Sequence, residues 1–208
     1  EIGVRLVGSE MCIRDRFYDA SAGQVCFFGQ NVRKYRRKEL RDQIGIVPQK
    51  AVLFAGTVRE NMQWGKKDAT DEEIWEALKT AQAEEFIRAK EGGLDANIEQ
   101  GGRNLSGGQR QRLTIARALV KKPRVLILDD SASALDYATD AALRKAIRQM
   151  EGAPTVFIVS QRTSSLMSAD RILVLDDGEA TGYGTHEELL KNCQTYREIY
   201  NSQYGKKE

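Results

Sequence analysis

Leu105-Ser106-Gly107-Gly108-Gln109, continued by the basic run Arg110 to Leu119 and then by Val125-Leu126-Ile127-Leu128-Asp129-Asp130, decides how the rest of this sequence reads. A serine and two glycines opening a helix leave backbone N–H groups unshielded at the positive end of a helix dipole. Proteins hold phosphate oxygens in this way. An apolar strand ending in paired carboxylates suits a magnesium ion lying beside such phosphates. Ser133-Ala134-Leu135-Asp136 follows almost at once. Together the three segments point to phosphate and magnesium chemistry far more strongly than any one of them.

Working outward, 208 residues suit one domain, with or without a subdomain, and suffice for a real core. Charge is nearly balanced, 32 basic against 30 acidic residues for a net of +2, which gives no electrostatic case for a nucleic-acid partner. The local exception, Arg33-Lys34-Tyr35-Arg36-Arg37-Lys38, reads as a solvated helix start or loop. Cys12, Cys26 and Cys193 lie far apart without metal-type spacing, so reduced, buried thiols of a cytosolic protein are expected. The single histidine, His186, falls between Thr185 and Glu188, a capping box, and reads as a helix-start residue rather than a ligand. No apolar run approaches the roughly 18–20 residues that span a bilayer.

Residues 1–16, EIGVRLVGSEMCIRDR, show no sustained period and no apolar strand. MCIRDR reads as the translated scar of a sequencing adapter or cloning junction, and the segment is set aside as non-native. From Gly23 the pattern is clean. Gln24 to Phe28 and Ile44-Gly45-Ile46-Val47 are short β-rich runs, the second stopped by Pro48 and followed by Gln49. Val52 to Thr57 reads as a loop of exposed apolar character. Thr70 and Glu73 cap a helix in which Ile74, Ala77, Leu78 and Ala81 recur at helical spacing. Residues 57–118 are expected to be mostly helical, interrupted at Gly92-Gly93 and Gly101-Gly102. Val125–Leu128, Thr155–Val159 and Ile172–Leu175 read as parallel strands buried on both faces, with a helix over Ala138–Met150. Asp176-Asp177-Gly178-Glu179 is a hairpin turn.

With these motifs in hand the sequence resembles the ATP-binding cassette (ABC) family, closest to the nucleotide-binding domains of multidrug-type exporters. The resemblance covers about Phe17 to about Tyr200. It implies an α/β fold of the P-loop NTPase type: a mostly parallel sheet core with an inserted α-helical subdomain near 57–118, residues 17–204 forming the domain and 205–208 a tail. In the family, a strand and a phosphate loop GxxxxGK[ST] precede a segment like Phe17-Tyr18-Asp19. No GK[ST] occurs in this chain, and Gly8-Ser9 does not replace it, so the first strand and the loop are expected to be missing by truncation.

ABC domains work as head-to-tail pairs with ATP and Mg2+ between them. The resemblance implies that Ser106, Gly107, Gly108 and Gln109 touch nucleotide bound to the partner. It implies that Asp129 acts on magnesium and that Gln49 completes that shell while sensing the γ-phosphate. Asp136 closes the D-loop, which carries contacts across the dimer. Glu99-Gln100-Gly101-Gly102 resembles the exporter X-loop that reports to the membrane domain.

Two positions depart from the family pattern. Where hydrolysing members carry a glutamate that polarises water, this chain has Asp130, shorter by one methylene or about 1.5 Å. A misplacement of about 1 Å can cost roughly a hundredfold in rate. Where members carry a switch histidine, this chain has Gln161, an amide that takes up no proton near neutral pH. The signature is intact while both catalytic positions have drifted, which suggests the degenerate-site half of a heterodimeric exporter. The partners expected are a second ABC half-transporter and a transmembrane domain upstream, with the domain at the cytoplasmic face of the cell membrane. Two other readings stay open at this stage: a soluble ABC-type ATPase and a non-functional truncated fragment.

Overall fold

The computed structural model describes residues 22–131 and 133–205. The 1–16 segment with Cys12, and Phe17-Tyr18-Asp19, lie outside the described residues. The chain divides into two compact units, one built from Glu1–Leu40 with Ser160–Glu208 and the other from Arg41–Val159.

The first unit opens with a short antiparallel pair, β1 (Cys26–Phe27) and β2 (Gln30–Asn31). Phe28 and Gly29 both have positive φ, 46° and 80°, the backbone signature of a two-residue turn that matches strand twist. Tyr35 closes over the pair, its ring edge-on to Phe27 and its hydroxyl donating to the Phe27 carbonyl at 3.0 Å. Cys26 is exposed rather than buried. It lies on a two-residue ladder whose alternation turns Phe27 inward instead. Helix α1 (Arg37–Asp42) leads the chain into the second unit.

There, β3 (Ile44–Val47) is followed by β4 (Gly56–Thr57), α2 (Val58–Gln63), α3 (Asp71–Thr80), α4 (Glu84–Arg88), β5 (Asn97–Ile98) and α5 (Gly107–Leu119). Then come β6 (Val125–Asp129), α6 (Tyr137–Arg148) and β7 (Thr155–Val159). The sheet runs β3-β6-β7 with both pairings parallel. Its central strand needs apolar residues on both faces, and Val125, Leu126, Ile127 and Leu128 are all buried. Gly45 lets α5 approach the sheet, because a Cβ there would stand 3.0 Å from the Ala118 carbonyl oxygen.

Helix α3 forms as its spacing predicts. Thr70 and Glu73 make the capping box, and Ile74, Leu78 and Ala81 are fully buried. The box contributes about 1 kcal/mol, and each large aliphatic about 1.5–3 kcal/mol. The helices between 57 and 118 share one core and one unit with the parallel sheet. Gly56 and Thr57 pair antiparallel with Ile98 and Asn97, a small ladder inside the segment expected to be helix and loop.

Two strand expectations are corrected. In β7 exposure alternates, with Phe157 and Val159 exposed, because the strand is paired on one side within its sheet and packs one face on the core. Ile172–Leu175 belongs to an antiparallel hairpin, not a parallel pair. In the first unit, after α7 (Thr163–Leu166), β8 (Ile172–Asp176) pairs with β9 (Glu179–Gly184). An apolar run fits either direction of pairing, and the turn at Asp177 (φ 46°) and Gly178 (φ 82°) is what fixes it. Helices α8 (His186–Asn192) and α9 (Gln194–Tyr204) follow. His186 opens α8 under the Thr185–Glu188 box, its Nδ1 2.8 Å from the Tyr196 hydroxyl. Cys193 is buried with Ile172, Val174, Leu189 and Tyr196.

Candidate functional site

The parallel sheet of the second unit positions two carboxylates at one strand end. Asp129 is the last residue of β6 and pairs in register with Val159. Asp130 follows in the left-handed region, φ 41°, an unusual place for a non-glycine residue. Three contacts hold that conformation. Its N–H donates to the Val159 carbonyl at 2.8 Å, and its own carbonyl accepts from the Ser133 N–H at 3.2 Å and the Ser133 hydroxyl at 2.8 Å. Gln49 lies just past the end of β3, and its Nε2 donates to Asp130 Oδ2 at 3.3 Å. Parallel pairing of β3 with β6 thus unites two residues far apart in sequence.

Helix α5 opens as a reciprocal box. The Ser106 Oγ accepts from the Gln109 N–H at 3.2 Å, and the Gln109 side chain accepts from the Ser106 N–H at 3.0 Å. Arg110 N–H is taken by the Ser106 carbonyl. Of the four N–H groups a helix start leaves without intrahelical partners, those of Gly107 and Gly108 therefore remain for a ligand. The Gln109 N–H and side-chain oxygen are both taken by the cap. Gly108 also meets the loop after β6, since a Cβ there would lie 3.3 Å from the Ala134 carbonyl oxygen.

Asp136 caps α6. Its two carboxylate oxygens accept from the Thr139 N–H at 2.9 Å and the Thr139 hydroxyl at 2.7 Å. The Thr139 hydroxyl, then its N–H, hold the Asp136 carboxyl below the usual range. In the first unit, the Gln161 carbonyl accepts from Gln203 Nε2 at 2.6 Å, and Gln203 Oε1 accepts from the Thr163 N–H and hydroxyl. The C-terminal helix thereby fixes the backbone at Gln161, whose side chain is exposed.

Two further residues organise the loops, Asn61 outside every motif and Arg110 at the head of the basic run after Gln109. Asn61, almost fully buried, donates to the Phe54 and Thr57 carbonyls and accepts from the Phe54 N–H, shaping the loop after Gln49. Arg110 bridges the carbonyls of Gly102 and Leu105. On the same unit Val52, Phe54 and Trp64 are exposed, the last two with ring centroids 4.8 Å apart. Asp129, Asp130 and Gln49 are hard oxygen donors of the kind magnesium takes, one or two carboxylates alongside substrate phosphates. Among the described residues, no helix is long and apolar enough to cross a membrane.

A family profile described as ABC transporter matches residues 12–133, so the match begins inside the 1–16 segment. An uncharacterized ABC transporter ATP-binding protein of Mycobacterium tuberculosis is 45% identical over 191 residues, 90% of this chain and 32% of that protein. Another, of Bacillus subtilis, is 46% identical over 191 residues, 92% of this chain and 33% of that protein. A Staphylococcus aureus protein provisionally named as a multidrug export ATP-binding/permease protein is 40% identical over 188 residues, 90% and 32% of the two chains. The solved structure of a bacterial Atm1-family ABC exporter with ATP bound superimposes with a TM-score of 0.89 and 35% identity, over 94% of this chain and 35% of that one. The chain spans about a third of the length of these relatives.

Proposed function

The chain belongs to the ABC transporter family, and from that premise we propose that it is the energy-coupling domain of a heterodimeric exporter, donating a competent signature to its partner and carrying a degenerate site itself. The observation that carries this reading is the contrast between two ends of one unit. At α5 the box of Ser106 and Gln109 leaves the Gly107 and Gly108 N–H groups for an anion. At β6 the position of the water-polarising group holds Asp130, drawn toward Gln49 at 3.3 Å.

In the composite site of the partner, Ser106, Gly107 and Gly108 bind the terminal phosphates of ATP through N–H groups and the serine hydroxyl. Gln109 keeps that turn in shape, and Asp136 holds the start of α6 beside it. In the chain's own site, Asp129 and Gln49 would hold Mg2+, which would supply positive charge against the phosphates. Asp130 orients water from too far back, and the family's switch position holds Gln161, an amide that takes up no proton near neutral pH, so hydrolysis is slow. Exposed Val52, Phe54 and Trp64 suit contact with a transmembrane part, and Glu99–Gly102 lies hydrogen-bonded to their loop through Gly101 N–H and the Leu53 carbonyl. The domain then works at the cytoplasmic face of the membrane.

The test compares two substitutions in the full-length protein assembled with its partner. Ser106→Arg puts a bulky cation where the partner's γ-phosphate meets the helix and is expected to abolish ATP hydrolysis by the pair. Asp130→Asn is expected to reduce it far less. The reverse order of severity overturns the reading.

A further inference from the structure

The turn that carries Ser106 is held from below by one side chain. Arg110 Nη1 donates to the Leu105 carbonyl at 2.6 Å and to the Gly102 carbonyl at 3.3 Å. Its Nη2 lies 3.9 Å from the point a Cβ on Gly107 would occupy. The stem of the same residue packs on Gly102, where an added Cβ would come within 2.9 Å of Arg110 Cγ and Cδ and 3.2 Å of Leu53 Cδ1. Gly101 N–H donates to the Leu53 carbonyl at 3.1 Å, and Leu53 is fully buried. An unbroken set of contacts therefore runs from the loop after Gln49, through Gly101 and Gly102, to the carbonyl just before Ser106.

The helix dipole gives no reason for a cation at this place. A cation in the first turns opposes the helix dipole, and no acidic residue in the first turn of α5 offsets it. What the guanidinium supplies is a terminal NH2 group whose two N–H bonds reach two carbonyls at once, from a stem long enough to pack on Gly102. Both carbonyls belong to the irregular segment Gly102–Leu105, whose shape sets where Ser106 points.

We infer that Arg110 is a positioning residue for the Ser106 turn: by bridging Gly102 and Leu105 it makes that turn and the loop after Gln49 move as one body. This inference rests on the proposed role of Ser106 at the partner's ATP.

The test is a double-mutant cycle on Mg-ATP hydrolysis by the full-length protein assembled with its partner. Arg110→Met is expected to lower kcat about tenfold with little change in KM, a displacement of a fraction of an ångström at a reacting site being enough. In a Ser106→Ala background the same change is expected to cost less than about twofold, because residues acting through one another are non-additive. Arg110→Lys, which keeps the charge and can hold a carbonyl, is expected to recover part of the loss. It carries the cycle if the methionine variant does not assemble. Equal losses from Arg110→Met in both backgrounds would mean that Arg110 only supports the fold, and would overturn the inference. If Ser106→Ala lowers activity and neither Arg110 variant does, the inference fails while the signature role stands. If Ser106→Ala is itself without effect, the proposed function falls and takes this inference with it.

Discussion

Gln49 Nε2 lies 3.3 Å from Asp130 Oδ2, a hydrogen bond that joins the loop after one strand to the end of its neighbour. It engages the carboxylate that would have to orient water in this chain's own site. The carboxylate is also short by a methylene, and the backbone beneath it is pinned in the left-handed region by Val159 and Ser133. Asp130→Glu restores reach, and Gln161→His restores a group that titrates near neutral pH. The double variant of the full-length protein is expected to gain at least about tenfold in turnover at this site, in line with what one positioned acid–base group contributes. Steady-state ATPase assays, with the partner's site silenced by Ser106→Arg, would read it. No gain in an assembled complex counts against the degenerate-site reading.

The 208-residue chain alone is expected to bind ATP weakly. Its sequence contains no glycine-lysine followed by serine or threonine, the motif whose N–H groups and lysine hold the phosphates. Several charge-assisted contacts are lost, each worth about 1.5–3 kcal/mol. Calorimetric titration is expected to give a Kd weaker than about 100 μM, since each 1.4 kcal/mol is tenfold. A low-micromolar value would contradict this.

What the sequence made legible was local. Thr70 with Glu73, and Ser106 with Gln109, announce helix starts because capping is a contact over three residues, and both boxes form. Asp177-Gly178 announces its turn through the positive φ values it requires. The run Val125–Leu128 reads as a strand buried on both faces and is one, while the same reading of Thr155–Val159 does not hold, since strand order decides which run is flanked on both sides. An apolar run alone does not tell which way its neighbour points, so Ile172–Leu175 reads as parallel, although the Asp177-Gly178 turn directly after it already signals the antiparallel pairing found. The Gln49–Asp130 contact depends on strand order, which no spacing encodes. Asn61, and the bridging role of Arg110, were not legible because each acts on backbone carbonyls, whose positions exist only once the loops around Phe54 and Gly102 are folded.

Packing between α2 and α5 makes a second kind of prediction. Gly65, just past the end of α2, faces the Arg117 carbonyl oxygen, and a Cβ there would stand 2.1 Å from that oxygen and 2.7 Å from Val120 Cγ1. Backbone cannot step aside as a flexible side chain can. Gly65→Ala is expected to destabilise the fold by about 2–3 kcal/mol, the upper part of the range for overpacking. Urea unfolding should show a lower midpoint with an unchanged slope, the mark of altered stability rather than altered compactness. A midpoint matching the unsubstituted chain would show that α2 and α5 are farther apart than described.

The acid limb of stability offers the last test, at Asp136. Hydrogen bonds from the Thr139 hydroxyl and N–H favour its ionised form and hold its folded pKa below the ordinary carboxylate value. For a group lowered on folding, the stabilising contribution is complete above the unfolded value, about 3.9 for aspartate. It is lost as pH falls from there through the folded value, because the unfolded chain takes up the proton first. Asp136→Asn keeps a side chain that caps helices about as well, so stability at pH 7 should change little. The asparagine carries no titration, so its unfolding free energy should fall less steeply than that of the unsubstituted chain once pH drops below about 4. Denaturant titrations of both proteins across that range give the two slopes. Slopes that coincide would mean that the Thr139 contacts do not hold the charged form in solution, and that the carboxylate is free to face another partner.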